Sequence, residues 1–330
     1  MPAHDVMPDM ELYQPVQVED ALGLAGRFAE RGWLLGGGQD TYGWLKDRVK
    51  RPEAMIDLNG IESLRGIREV GDTVEIGALT TLTEVERHPV IQERYSLLAD
   101  AARKVASPQI RNAGTLGGNL NQDVRCWYYR RGLACYRAGG NLCYADTPDA
   151  MNREHAIFGA SRCVAVTPSD VGPALVALEA EMVVARAGGR ERTIRAEDYF
   201  VGPNVDITST TALRQGEIMT AVRIPAKWAG ARFYFEKVAD RNVWDFALVN
   251  IAVAIREEGG AIAESRFVCG AVECKPRRLT TVERAVRGRS LGQDAADAAD
   301  GLASQGARPL NHNHYKMPLM DNLVKRALLA

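Results

Sequence analysis

Apolar residues recur at helical spacing through residues 18–30, at Ala21, Leu22, Leu24, Ala25 and Phe28, and give way to the short run Trp33-Leu34-Leu35. This is the pattern of an amphipathic helix feeding a buried strand. Gly36-Gly37-Gly38-Gln39-Asp40-Thr41 follows at once, then a helical stretch over 42–50 and a second apolar run over 54–58. Together they predict a first α/β unit over about residues 1–58: helix, strand, glycine loop, helix, strand.

Further on, 73–76 alternates like a half-buried strand, 83–86 opens a helical turn, and 97–105 has helical periodicity. A second glycine-rich loop, Asn112-Ala113-Gly114-Thr115-Leu116-Gly117-Gly118-Asn119, comes next. Residues 122–162 lose periodicity and gather cysteine, arginine and aromatic side chains, which marks an insertion, and 163–166 resume a strand pattern. A hairpin over 181–194 turns at Gly188-Gly189, and 218–224, 231–238, 247–256 and 261–270 predict an antiparallel meander before helices rich in alanine and leucine. The fold class is α+β with a boundary near 214–216, dividing residues 1–214, including an insert at about 122–163, from 216–330. There is no internal repeat and no low-complexity tract.

Composition narrows the partners. The 41 Lys and Arg against 42 Asp and Glu leave a net charge of -1, so no basic footprint points to nucleic acid or an anionic membrane. No apolar stretch is long enough to span a bilayer, and residues 1–10, with His4, Asp5 and Asp9, lack a leader's basic and apolar regions. Gly-x-Ser-x-Gly, H-E-x-x-H and Walker patterns are absent, which leaves hydrolase and nucleotidase chemistry without a candidate.

A glycine run between a buried strand and a helix lets backbone N–H groups approach a phosphate, while Asp40 and Thr41 could cap the helix. A tight turn needing positive φ explains a single run equally well. The second loop, with Gly114, Gly117 and Gly118 between Asn112 and Asn119, favours a dinucleotide, which has both a pyrophosphate and a ring system to hold.

Residues 34–41, 76–82 and above all 106–119 (ASPQIRNAGTLGGN) resemble the FAD-binding subunit of the xanthine dehydrogenase and carbon monoxide dehydrogenase family. The resemblance continues through 167–170, 237–249 (KVADRNVWDFALV), 269–279 and 315–328. It implies a two-part FAD-binding domain of the vanillyl-alcohol-oxidase/p-cresol methylhydroxylase type and a C-terminal domain of antiparallel sheet with helices. It also implies that Leu35, Gly36, Gly37, Gly38, Gln39, Asp40 and Thr41 wrap the FAD pyrophosphate. Ala78, Thr80, Gly114, Thr115, Gly118, Asn119 and Asp170 would contact the rest of the cofactor, and Lys237 would lie near the flavin. Read by themselves, Asp170 could be a helix N-cap and Lys237 a solvated residue on an alternating strand.

Cys126, Cys135, Cys143 and Cys163 are separated by eight, seven and nineteen residues. Four thiolates are the ligand set of a 4Fe-4S cluster, and the closely spaced pairs usual for structural zinc are missing. Four unrelated buried thiols remain the plain alternative. Arg125, Arg130, Arg131 and Arg137 could offset cluster charge, and Trp127, Tyr128, Tyr129 and Tyr136 could exclude water. Within the family, a four-cysteine insert of this kind is found in the flavoprotein subunits of 4-hydroxybenzoyl-CoA reductase and periplasmic aldehyde oxidoreductases. Cys126-Trp127-Tyr128-Tyr129-Arg130, Asn152-Arg153-Glu154-His155-Ala156 and 163–166 are more similar to the aldehyde oxidoreductase type. Cys269 and Cys274 lie outside the insert and read as structural, and His88, His155, His312 and His314 read as solvated.

The resemblance therefore implies an electron-transfer subunit of a molybdenum hydroxylase, carrying FAD and a 4Fe-4S cluster, with no catalytic acid or base of its own. Its partners would be a large subunit with molybdenum cofactor, a small subunit with 2Fe-2S clusters and an external electron acceptor, with no nucleic acid and no membrane insertion. Its location would be cytoplasmic, or periplasmic if it is exported folded beside a signal-bearing partner. Two rivals stand beside this reading: a stand-alone FAD oxidase of the vanillyl-alcohol-oxidase fold, and a zinc-stabilised assembly protein.

Overall fold

The helix-to-strand periodicity near the start folds as expected. In the computed structural model, which describes Met7 and residues 9–330, β1 (Glu11–Tyr13), α1 (Val18–Phe28), β2 (Gly32–Leu35), α2 (Thr41–Lys46) and β3 (Ala54–Asp57) form the first unit. His4 and Asp5 lie outside the described residues. The three strands are parallel, in the order β1-β3-β2, and α1 turns Ala21, Leu22, Ala25 and Phe28 inward. Helix α2 stops at Lys46, short of the expected end at 50.

A second layer begins with β4 (Ile67–Val70) and β5 (Thr73–Gly77), then α3 (Leu82–Arg87), α4 (Pro89–Arg94), α5 (Ser96–Arg103), α6 (Pro108–Ala113) and α7 (Leu116–Leu120). Thr81 and Glu84 form a reciprocal capping box that starts α3. The insert contributes the short α8 (Trp127–Arg130), and α9 (Val171–Ala177), β6 (Glu181–Arg186), β7 (Arg190–Arg195), α10 (Ala196–Tyr199) and β8 (Ile218–Pro225) complete the layer. Gly188 and Gly189, at φ 82° and 67°, make the β6–β7 hairpin turn that the sequence predicts.

Three expectations are revised. Strand β8 is no part of a C-terminal meander: it pairs with β5 and β6 and is the middle strand of a five-stranded antiparallel sheet, β4-β5-β8-β6-β7. Residues 112–119 are less a loop than the junction of α6 and α7 around Gly114 and Thr115. Residues 163–166 form no strand; Val164 and Ala165 are buried, and Ala156 N–H donates to Val164 O at 2.8 Å outside any ladder.

The rest of the chain forms β9 (Arg232–Val238), β10 (Val249–Glu258), β11 (Ala261–Gly270), β12 (Arg277–Arg278), α11 (Thr280–Val286), α12 (Gln293–Ala298) and α13 (Lys316–Leu329). The sheet is antiparallel in the order β12-β11-β10-β9. Its middle is covered on both sides. Ala252 and Ala254 of β10 join the core of the preceding layer, while Ile251, Val253 and Ile255 face a separate core with Leu323 and Val324 of α13. Small residues toward one layer and branched ones toward the other follow the two-residue alternation of a strand, and they bring this sheet close against α5 and α9.

Candidate functional site

The two glycine segments meet backbone to backbone. A Cβ on Gly37 would lie 2.0 Å from the carbonyl oxygen of Ala113, and one on Gly36 would lie 3.0 Å from Thr115 Oγ1. At Gly37 only glycine permits this approach. Asn59 Nδ2 donates to Gly36 O at 2.8 Å, and Thr115 Oγ1 accepts from Gly118 N–H at 3.1 Å, fixing both sides of the junction. A cavity of about 330 Å³ opens here, lined by Gly36, Gly37, Gly38, Gln39, Asp40, Thr41, Gly114, Thr115, Gly118, Asn119, Asp170 and Lys237.

Leu35, Ala78 and Thr80 stand behind that lining. Leu35 packs with Leu45 and Met55. The Ala78 carbonyl accepts from Gly117 N–H at 2.7 Å, and the Thr80 carbonyl accepts from Leu116 N–H at 2.9 Å. These two bonds hang the start of α7 on the end of the five-stranded sheet, so the buried residues shape the cavity.

Asp40 occupies the N-cap position of α2 but makes no capping bond. Its carboxylate is engaged elsewhere, accepting from Trp44 Nε1 at 3.1 Å and Arg130 Nη2 at 2.6 Å, and pairing with Arg125 at 3.0 Å. The Arg130 guanidinium also lies 3.6 Å over the Trp44 ring. Thr41 Oγ1 accepts from Trp33 Nε1 at 3.0 Å instead of capping. The insert is thereby clamped onto the first unit.

Asp170 and Lys237 are brought together from 67 positions apart. Ser169 Oγ accepts from Gly172 N–H at 3.0 Å and so takes the capping role at α9, which leaves the Asp170 carboxylate to Lys237 Nζ at 2.6 Å and Asn250 Nδ2 at 2.8 Å. Lys237 is not solvated: its side chain is 5% exposed, that of Asp170 is 3% exposed, and Nζ also donates to Lys104 O at 2.9 Å. Burial pushes the Asp170 carboxyl above its ordinary range, and the ammonium beside it opposes that shift.

A second cavity of about 500 Å³ adjoins the first and shares Arg125, Pro168, Asp170, Trp244, Asp245 and Phe246 with it. The segment between β9 and β10 supplies Trp244, held at φ 75° with its N–H donating to Ala106 O at 2.7 Å, and Phe246, with the Arg125 guanidinium 4.5 Å from its ring centroid. Arg125, Trp244 and Phe246 were not among the expected cofactor contacts. The available signal was an aromatic pair in an otherwise polar turn.

Cys126, Cys135, Cys143 and Cys163 line one small cavity of about 10 Å³, with Tyr128, Tyr129, Tyr136, Tyr144 and Arg137 around them. Backbone N–H groups point at three of the sulfurs: those of Tyr128 and Tyr129 at Cys126, of Val164, Ala145 and Asp146 at Cys143, and of Ala165 at Cys163. Burial pushes the Cys126 thiol up to about 11 and raises Cys143 and Cys163, while these amides act the other way. Among the described residues, no group of three or more His, Cys, Asp or Glu side chains is placed to hold a metal ion.

Of the four arginines expected near the thiols, Arg137 lines the cavity, Arg125 and Arg130 turn to Asp40, and Arg131 is exposed. Cys274, distant in sequence, packs in the same apolar cluster as Cys135 and Cys163, whereas Cys269 lies in the C-terminal core. His312 and His314 are exposed, but His155 is buried with Nε2 3.3 Å from Cys126 Sγ.

Comparison with known proteins adds an independent line. Residues 8–227 match the family described as FAD binding domain in molybdopterin dehydrogenase, and residues 234–330 match the CO dehydrogenase flavoprotein C-terminal domain. The carbon monoxide dehydrogenase medium chain of Hydrogenophaga pseudoflava is 31% identical over 330 residues, covering 98% of each chain. The aldehyde oxidoreductase FAD-binding subunit PaoB of Escherichia coli (strain K12) is 31% identical over 321 residues, covering 96% of each. The solved carbon monoxide dehydrogenase of Hydrogenophaga pseudoflava superposes with a TM-score of 0.76 at 30% identity, over 98% of this chain and 97% of that one. The two matched regions divide where one sheet ends and the next begins.

Proposed function

The chain belongs to the FAD-binding family of the molybdopterin dehydrogenases, and on that footing we propose that it is the electron-transferring flavin subunit of a molybdenum hydroxylase, with FAD held between its two glycine segments. The observation that carries this reading is the contact of Gly37 with Ala113 at the floor of a cavity whose walls end in Asp170 and Lys237. Amides of 36–41 and 114–119 would grip the diphosphate. Asp170, Lys237, Trp244 and Phe246 would enclose the ring system and exclude water. When bound, FAD couples one-electron carriers to a two-electron acceptor.

The partners proposed are a large molybdenum-cofactor subunit and a small 2Fe-2S subunit in a heterotrimer, with a separate electron acceptor. Support comes from relatives named as medium chains and FAD-binding subunits and matched along nearly their whole length. This favours a subunit over a stand-alone oxidase or an assembly protein. No helix among the described residues is long and apolar enough to cross a membrane. The complex would reside in the cytoplasm, or in the periplasm after export folded beside a signal-bearing partner.

We further propose that Cys126, Cys135, Cys143 and Cys163 hold a 4Fe-4S cluster, a one-electron carrier. The donor set suits it: four thiols face one cavity, and amide N–H groups are aimed at three of the sulfurs.

The test is to purify the complex anaerobically, count flavin, iron and zinc per copy of this chain, and record absorption and electron paramagnetic resonance spectra. One FAD and four iron atoms attributable to the chain are expected. A colourless chain overturns the flavin reading, and zinc in place of iron overturns the cluster. Mass measurement of the intact complex checks the heterotrimer.

A further inference from the structure

Cys126 stands on the partition between two cavities. It lines the small one shared by the four cysteines and also the 500 Å³ one that continues from the flavin cradle. His155 lines that larger cavity as well, and its Nε2 is 3.3 Å from Cys126 Sγ. Among the described residues, it is the one side chain that reaches any of the four sulfurs with a hydrogen-bonding nitrogen.

The ring is held in place. His155 is 3% exposed, its N–H donates to Asn152 O at 3.1 Å, and its carbonyl accepts from Asn313 Nδ2 at 3.0 Å. Asn152 Nδ2 donates in turn to Ala145 O at 3.2 Å, two residues past Cys143. The histidine is therefore tied both to the cysteine loop and to the segment leading into α13.

The proton's position follows from the surroundings. His155 Nδ1 is buried without a well-formed hydrogen bond, and the Asn152 carbonyl that interacts with the ring already accepts the His155 backbone N–H. A proton there would have only this shared, poorly placed acceptor, and it would turn the Nε2 lone pair toward an electron-rich sulfur. With the proton on Nε2, an N–H points at the sulfur and the unpartnered atom is only a weak acceptor. The second tautomer is favoured.

We propose that His155 is the side-chain hydrogen-bond donor that raises the reduction potential of the cluster through Cys126, the cysteine facing the flavin cavity; this rests on the four cysteines being cluster ligands. Reduction adds negative charge that is shared with the sulfurs, so a donor at Sγ stabilises the reduced state more than the oxidised one. Backbone amides do the same for Cys126, Cys143 and Cys163, but a side chain can be exchanged without rebuilding the loop. His155 is thus a positioning and tuning residue that sets how readily an electron rests on the cluster.

The experiment is a potentiometric titration of the purified complex followed by electron paramagnetic resonance, comparing wild type with His155→Leu and His155→Gln. The Leu variant should shift the oxidised-to-reduced ratio at fixed potential about tenfold, which is 59 mV downward for one electron. Flavin potential and iron content should stay unchanged, and Gln, which keeps a donor, should restore most of the shift. An unchanged midpoint in His155→Leu with its iron retained overturns the proposal. Wild-type protein without iron in this chain overturns the cluster reading itself.

Should His155→Leu fail to assemble, wild-type complex labelled with ¹⁵N only in histidine decides by pulsed resonance of the reduced cluster. A weak ¹⁵N coupling is expected. No coupling, or the strong coupling of a directly bound nitrogen, overturns the donor role.

Discussion

Arg130 donates to Asp40 at 2.6 Å across ninety positions of sequence, joining the segment that ends the first glycine run to the helix that starts at the first insert cysteine. Arg125, immediately before Cys126, pairs with the same carboxylate at 3.0 Å. The glycine segment and the cysteine insert therefore behave as one mechanical piece.

Asp40→Asn keeps the size and an acceptor but removes the charge facing two guanidinium groups. A charge-assisted hydrogen bond in a partly buried setting contributes about 1.5–3 kcal/mol. Flavin retention should weaken roughly tenfold to a hundredfold, read from fluorescence of flavin released on dilution. Retention equal to wild type would mean that the two segments are energetically independent.

Gly37→Ala would place a Cβ 2.0 Å from Ala113 O, a contact that backbone must move to relieve. The expected result is loss of bound flavin together with about 1–3 kcal/mol of stability. Gly23→Ala, in α1 with no atom within 4 Å of the added carbon, should instead stabilise by about 1 kcal/mol. Denaturant unfolding of both variants separates a steric effect from a general intolerance of substitution.

Lys237→Met leaves the Asp170 carboxylate buried with Asn250 as its remaining side-chain donor. Removing one member of a buried pair costs about 3–5 kcal/mol. The double variant Lys237→Met with Asp170→Asn should recover part of that loss. A cycle in which the two changes are additive would contradict an energetic pairing.

Lys316 is fully buried at the start of α13, with Nζ donating to Ala271 O at 2.6 Å and Glu154 O at 3.1 Å. Burial pushes its ammonium down to about 7. Between that value and the unfolded value near 10.5, the unfolded chain binds a proton that the folded chain does not, so stability rises with pH. The stability difference between wild type and Lys316→Met should therefore grow in wild type's favour by on the order of 2 kcal/mol from pH 7 to 9. A pH-independent difference in urea midpoints, scaled by m, would refute it.

What the sequence made legible was local. The α1–β2 periodicity, the Gly188-Gly189 hairpin and β9 to β11 all carry their signal within a few residues, and they formed where expected. Membership of β8 in the five-stranded sheet depends on pairing with residues 73–77 and 181–185, which no local pattern records. Residues 163–166 have a strand's apolar pattern but no neighbouring strand to pair with.

The site divides in the same way. Glycines flanking strand and helix ends announced the cavity, since a need for close backbone approach is written in the residue type itself. The Asp170–Lys237 pair was invisible because the capping role that Asp170 could have taken went to Ser169 one residue earlier. His155 reads as solvated in the sequence; its burial comes from the distant segment around Asn313.

The placement of β8 bears on biosynthesis. Hairpins β4–β5 and β6–β7 are both made before residues 218–225 leave the ribosome, yet only that strand joins them. Until it arrives, each hairpin presents an unsatisfied edge that is open to wrong pairing. Loading of coenzyme accordingly has to await the synthesis of β8, and a truncation ahead of residue 218 should yield an aggregating fragment rather than a small flavin carrier.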